Sequence, residues 1–375
     1  MRKNAVLFLA SSVNIGLTAH FARQVVDMHR KGLATGWDTW CVSDRKEQNA
    51  GLWQYVRQGM PAERIVDFDD ADWAELYGRL QAVCAGYRRV VIHFQGFNQL
   101  WRLRGLLSME GVRAVLTVHS FPKRPAWRRW LVGGVYAALA ERYVRKMVFL
   151  SPFALNGFVL GGRLRRLGRV VHIPFCLPED VIGAADIGER VAMPEGKFVV
   201  SYLANFLPNK GHERFLPAMV DFARRHTDVE FYFWGEGPRR EAVMSAIRRG
   251  GISGRMHCPG RVERRYVPSI LRRSSLAMVL SATENAGHAF VEPALYGCPV
   301  VGTRVGSAEY LIQEYTTSIG IDTPASLRSA LEYAYAHPDA LRGMAERMQG
   351  LVRACYGYEE MLAAYYRLYA EVAEA

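Results

Sequence analysis

Short apolar runs recur along this chain at intervals that leave room for a helix after each one. They read "AVLFLA" (5–10), "RVVIHF" (89–94), "RAVLTVH" (113–119), "KMVFLS" (146–151), "KFVVSYLA" (197–204), "VEFYFWG" (229–235) and "LAMVLS" (276–281). Most show no apolar–polar alternation, so both faces of each strand must be covered. Parallel strands joined by crossover helices meet that requirement, and the rhythm predicts an α/β fold with parallel sheets. At 375 residues, half of them hydrophobic, the chain is too long for one ordinary core, and two domains are expected.

The first half opens with a strand, loop and helix in "AVLFLASSVNIGLTAHFARQVVDMHRKG" and runs to "RRLGRVVHIPF". Residues 176–196, "CLPEDVIGAADIGERVAMPEG", have little apolar periodicity and carry Pro178 and Pro194, a linker composition. The strand–loop–helix pattern then restarts at Lys197. The expected division is residues 1–175, a linker 176–196, and residues 197–357. The closing amphipathic stretch 358–375 is expected to pack back on the first domain. Both halves read as doubly wound, with ligands at the carboxyl ends of the strands and a cleft between the halves. The opening "MRKNAVLFLASS" mimics a short signal peptide but is read as a first strand, because polar "NIG" and a helix follow. The longest uncharged apolar stretch lies near "LVGGVYAALA", far short of the ~20 residues a spanning helix needs.

The stretch most suggestive of chemistry is "SATENAGHAFVEPALYG", residues 281–297. Glu284 and Glu292 bracket seven residues that include no acid, Lys or Arg. A strand ends before them, Gly287 permits a tight loop, and "HAFVEPALYG" reads as a helix stopping at Gly297. With Glu284 in the loop, both carboxylates can line one pocket. The free N–H groups of the helix start would face the same pocket and suit a phosphate. An anion seat flanked by two hydroxyl-seeking carboxylates is what a nucleotide sugar would require. The spacing alone also suits a capping Glu284 and a surface Glu292.

The neighbouring residues narrow this. "SATENAGHAFVEPALYGCPVVGTRVGS" resembles the Glu-x7-Glu signature of retaining glycosyltransferases of family 4, the glycosyl transferases group 1. "LANFLPNKGHERFLPA" is similar to that family's strand–loop–helix with Lys-Gly. "FYFWGEGPRREAV" is similar to its Gly-x-Gly-Pro turn, and "MHCPGRVERRYVPSILRRSSLAMVLSATE" to the segment leading into the Glu motif. In the first half "NIGLTAH", "VLTVHSFP" and "VFLSPFALNGF" match more loosely. The resemblance implies a GT-B fold, two Rossmann-like doubly wound domains facing a cleft. It implies that Lys210 holds the donor diphosphate, Glu292 the ribose hydroxyls and Glu284 the sugar hydroxyls. Gly287, His288, Ala289 and Phe290 would offer backbone contacts. Gly16 would let the first-half loop approach the ligand, and His119 would touch the sugar. The catalytic group so implied is Glu284, His119 and Lys210. The family often has an Arg five positions before the lysine. Here Asn205 stands there, and Arg261 in "PGRVE" is the expected partial substitute.

Charge is unevenly spread. The chain has a net charge of +12 with 48 Lys and Arg, and residues 101–170 hold fourteen of them against Glu110 and Glu141. Within this segment "KRPAWRRW" (123–130) sets tryptophans beside arginines, which suits an anionic lipid surface. A solvated face of arginine-rich composition is the other reading. Nucleic acid is not expected, since no nucleic-acid motif accompanies the charge. The six cysteines are scattered without CxxC or a His/Cys cluster at metal spacing, and the candidate phosphate ligands are a lysine and a helix start. Free thiols and a reaction without metal or other cofactor are therefore expected. With these readings the resemblance implies a cytoplasmic hexosyltransferase, peripheral on the cytosolic face of the inner membrane. Its partners would be a nucleoside-diphosphate sugar and a glycan or lipid-linked acceptor, in envelope or exopolysaccharide assembly. An epimerase or hydrolase on the same fold, and a non-catalytic sugar-nucleotide-binding subunit, are the alternatives.

Overall fold

The computed structural model describes residues 3–9, 15–44, 50–68, 72–119, 126–158, 161–174, 176–178, 184–284, 288–355 and 357–375. The chain forms two compact units. One comprises Met1–Phe175 with Tyr358–Ala375, the other Cys176–Gly357.

The first unit is built on a seven-stranded parallel sheet. Its strands are β1 (Asn4–Leu9), β2 (Trp37–Asp44), β3 (Ile65–Phe68), β4 (Arg89–Phe94), β5 (Val112–Val118), β6 (Lys146–Phe149) and β7 (Val170–His172), in the order β3-β2-β1-β4-β5-β6-β7. Residues Ala5 to Leu9 are buried, as expected for a central strand covered on both faces. Residues 4–9 of the segment that mimics a signal peptide are therefore a central strand of the sheet. The helix Tyr358–Glu374 docks here through Tyr365, Tyr366 and Tyr369, all buried. The Tyr369 hydroxyl lies 2.7 Å from Nδ1 of buried His93, and the Tyr366 hydroxyl donates to the Met28 carbonyl at 2.5 Å.

The second unit carries six parallel strands: β8 (Phe198–Leu203), β9 (Val229–Trp234), β10 (Met256–Gly260), β11 (Leu276–Val279), β12 (Val300–Gly302) and β13 (Ile319–Gly320). Their order is β10-β9-β8-β11-β12-β13. Every residue of β9 is buried, including Glu230, whose carboxylate accepts from Lys197 Nζ at 2.6 Å and lies 2.7 Å from His257 Nε2. Burying that charge is tolerable only because it is paired. Residues 184–193 do not behave as an open tether. Ile187 and Met193 are buried against Tyr232, Trp234 and Tyr266, and the Ala185 N–H donates to the Arg265 carbonyl at 2.9 Å. Isolated apolar residues anchor this segment, which is why its lack of periodicity suggested a linker.

In both sheets the strand order reverses direction once, between β1 and β4 and between β8 and β11. At such a switch point the loops leaving the two strands run to opposite faces, opening a crevice at the carboxyl ends. In the second unit the described residues of those two loops are 204–211 and 280–284. Among the described residues no helix is long and apolar enough to cross a membrane.

Candidate functional site

The loop after β8 is held rigidly before any side chain is considered. Gly211 has φ 72°, and a Cβ there would lie 2.2 Å from the Leu280 carbonyl oxygen. Only glycine lets the two switch-point loops approach so closely. Gly235, at φ 150°, packs the turn after β9 against Ala204, with a would-be Cβ at 2.3 Å from the Ala204 carbonyl. Hydrogen bonds finish the clamp. The Tyr202 hydroxyl donates to the Lys210 carbonyl at 2.6 Å, and the Ala282 N–H donates to the Asn209 carbonyl at 2.8 Å. His212, 2% exposed, stacks on Phe206 with ring centroids 4.3 Å apart. Burial first, and then Lys210, lower its pKa to about 4, so it is neutral at pH 7.

From this platform Lys210 reaches across to the loop after β11 and forms an ion pair with Glu284 Oε1. Ser281 Oγ donates to the same oxygen at 2.7 Å. Both charged side chains are about four-fifths withdrawn from solvent, at 19% and 18% exposure. The sequence places these two residues 74 positions apart; the switch point brings them into contact.

Glu292 lies in the helix His288–Leu295 and is only 8% exposed. Its partner is Arg264, in the 3-10 turn Arg264–Tyr266 beyond β10. Burial raises the Glu292 pKa, and the Arg264 guanidinium opposes that rise. Phe290 is fully buried and His288 and Ala289 are half-buried, so Phe290 can offer a ligand its backbone but not its ring. Asn205 and Arg261 are exposed, and among the described residues Arg261 has no carboxylate partner. The arginine that structure joins to the glutamate pair is Arg264 rather than Arg261. Sequence reasoning missed Arg264, Ser281 and Tyr202. Within "GRVERRY" nothing local distinguishes Arg261, Arg264 and Arg265, since the choice depends on which one the turn aims at the helix.

Gly287 lies outside the described residues. In the first unit, Gly16 falls in the first turn of the helix Ile15–Thr35, and the loop before it lies outside the described residues. His119 follows β5, with Nε2 2.5 Å from Gln95 Oε1 at the end of β4. Burial lowers its pKa to about 4, so it presents a neutral imidazole at the carboxyl edge of that sheet. Residues 123–125 lie outside the described residues. Residues 126–130 open the helix Ala126–Tyr143, where only their backbone is described.

A parallel sheet of Rossmann order with a cation and two carboxylates at its switch point has clear relatives. Residues 185–349 match the model of the glycosyl transferases group 1 family. The match falls within the second unit and covers all six of its strands. The chain is 26% identical over 211 residues to an alpha-D-kanosaminyltransferase of Streptomyces kanamyceticus, covering 55% of this chain and 54% of that protein. It is 27% identical over 274 residues to a 2-deoxystreptamine N-acetyl-D-glucosaminyltransferase of Streptomyces fradiae, covering 66% and 64%. The chain thus spans about half to two thirds of the length of these curated relatives. Among solved structures, it is similar to a glycosyltransferase of Rickettsia africae, with a TM-score of 0.79 and 14% identity over 99% of each chain. It is also similar to Anabaena HepE in complex with UDP and glucose, with a TM-score of 0.75 and 16% identity over 99% of this chain and 100% of that one. These structures show the fold, which is GT-B: two Rossmann-like α/β units.

Proposed function

We propose that the chain is a glycosyltransferase that moves a hexose from a nucleoside-diphosphate sugar to a hydroxyl of a glycan or lipid-linked acceptor. The observation that carries this reading is the meeting of Lys210 with Glu284 at the switch point of the second sheet. A diphosphate needs a compact cation and a sugar needs hydroxyl acceptors, and here the two stand side-chain to side-chain. Glu292 supplies a second, buried carboxylate for a ribose. The relatives' names, transferases of glucosaminyl and kanosaminyl groups, support the same class.

In this reading Lys210 stabilises the departing diphosphate through preorganised charge. Glu284 lies beside the sugar, where positive charge develops in the transition state. His119, uncharged at neutral pH, would hydrogen-bond the sugar without adding charge. The transfer retains anomeric configuration by front-face attack, with the leaving phosphate as base, and needs no metal. The acceptor side is assigned to the first unit, and its basic segment to an anionic membrane surface. Bacterial envelope or exopolysaccharide assembly is the setting.

The test is a thermal-shift panel of UDP-, GDP-, ADP- and dTDP-sugars, followed by product analysis with and without acceptor and with EDTA. A ligand that binds the folded state raises its apparent stability. One nucleotide sugar should raise the melting temperature, and sugar should leave it only when acceptor is present. Sugar release without acceptor would make the protein a hydrolase. No shift with any donor would overturn the donor site, and loss of activity in EDTA would overturn the metal-free reaction.

A further inference from the structure

We infer that Glu284 makes the site discriminate against the bare nucleoside diphosphate and in favour of the intact nucleotide sugar, through its ion pair with Lys210. This rests on the reading of the switch point as a donor site.

Glu284 has two donors among the described residues, the Lys210 ammonium and the Ser281 hydroxyl, and both address Oε1. Ser281 is 1% exposed, and its carbonyl accepts from Thr303 Oγ1 at 2.6 Å, so its position is set by the fold. The Lys210 backbone is clamped by Tyr202 and by the approach of Gly211 to Leu280. In the free protein the cation and the carboxylate therefore satisfy each other.

A diphosphate that claims Lys210 dilutes that pairing and leaves Glu284, largely withdrawn from water, facing new negative charge. What happens next depends on the ligand. In an intact donor the second phosphate is esterified and carries a single charge, and the sugar's hydroxyls replace the ammonium as hydrogen-bond donors to Glu284. In the bare diphosphate the terminal phosphate carries roughly −1.5 to −2 at neutral pH and brings no hydroxyl. The carboxylate then meets like charge in a partly desolvated site, where such repulsion is worth several times its value in water. Release of the product lets Lys210 and Glu284 pair again. The ion pair thus opposes accumulation of the product complex after each transfer.

The experiment is calorimetric titration of UDP, GDP, ADP and dTDP, and of the glucose conjugate of each, into wild type, Glu284→Gln and Glu284→Asp at one ionic strength. Thermal melts check that each variant is folded. For the base that binds, Glu284→Gln should tighten the bare diphosphate about tenfold and weaken the sugar conjugate, lowering the donor preference by more than tenfold. Glu284→Asp keeps the charge and should hold that preference within about threefold. Equal weakening of both ligands by Glu284→Gln, or an unchanged preference, would overturn the inference while leaving the donor site in place. A comparable collapse of preference in Glu284→Asp would also overturn it, since shape rather than charge would then be responsible. Failure of every nucleotide to bind wild type would remove the donor-site reading itself, and this inference with it.

Discussion

Replacing Arg264 by Gln removes the counter-charge of a carboxylate that is 8% exposed. Breaking one side of a buried pair costs ~3–5 kcal/mol, and the Arg264 side chain is itself 27% exposed, so the lower end, about 3 kcal/mol, applies. For a unit the size of residues 176–357, that corresponds to roughly 6–12 °C in melting temperature. The loss must depend on pH in a defined direction. Burial holds the Glu292 pKa above its ordinary 4.5, so its protonated form favours the folded state. That stability is fully present below the unfolded pKa and is lost as pH rises through the folded one. Removing Arg264 raises the folded pKa further, since the one opposing influence is gone. The penalty of Arg264→Gln should therefore be largest at pH 8 and shrink toward pH 5. Scanning calorimetry on wild type, Arg264→Gln, Glu292→Gln and the double variant at both pH values measures this as a double-mutant cycle. A coupling under about 0.5 kcal/mol at pH 8, or an equal loss at both pH values, would refute the argument.

Further outcomes follow from the same geometry. Lys210→Ala should cost about 2–4 kcal/mol in kcat/KM; turnover within threefold of wild type would remove it from the diphosphate site. Gly211→Ala meets the Leu280 carbonyl at 2.2 Å in a left-handed backbone and should destabilise by at least ~1–3 kcal/mol; an unmoved urea midpoint would show that the two loops can part freely. Replacing Arg124, Arg128 and Arg129 together by Ser should reduce salt-sensitive cosedimentation with anionic vesicles while sparing activity on a soluble acceptor analogue; unchanged cosedimentation would place the docking face elsewhere.

The alternation of apolar runs and helical stretches was legible in the sequence, because the period of a strand or helix is a property of neighbouring residues. That was enough to reach two parallel α/β sheets. The strand end before Glu284 and the helix after it were legible for the same reason: the end of an apolar run and a helix stopped by a glycine are local patterns. Side-chain pairing was not. Lys210 meets Glu284 because β8 and β11 are neighbours in the sheet although 72 residues separate Leu203 from Leu276. Strand order is set by how helices pack across the sheet, and no window of sequence states it. The selection of Arg264 over Arg261 is of the same kind. Both are arginines beyond β10, and only the turn Arg264–Tyr266, anchored by buried Tyr266, decides which guanidinium reaches Glu292. Likewise the region around 184–193 looked like a tether, yet buried Ile187 and Met193 fasten it to the second unit. Two isolated apolar residues make no periodic signal, and their effect exists only once a surface is there to receive them.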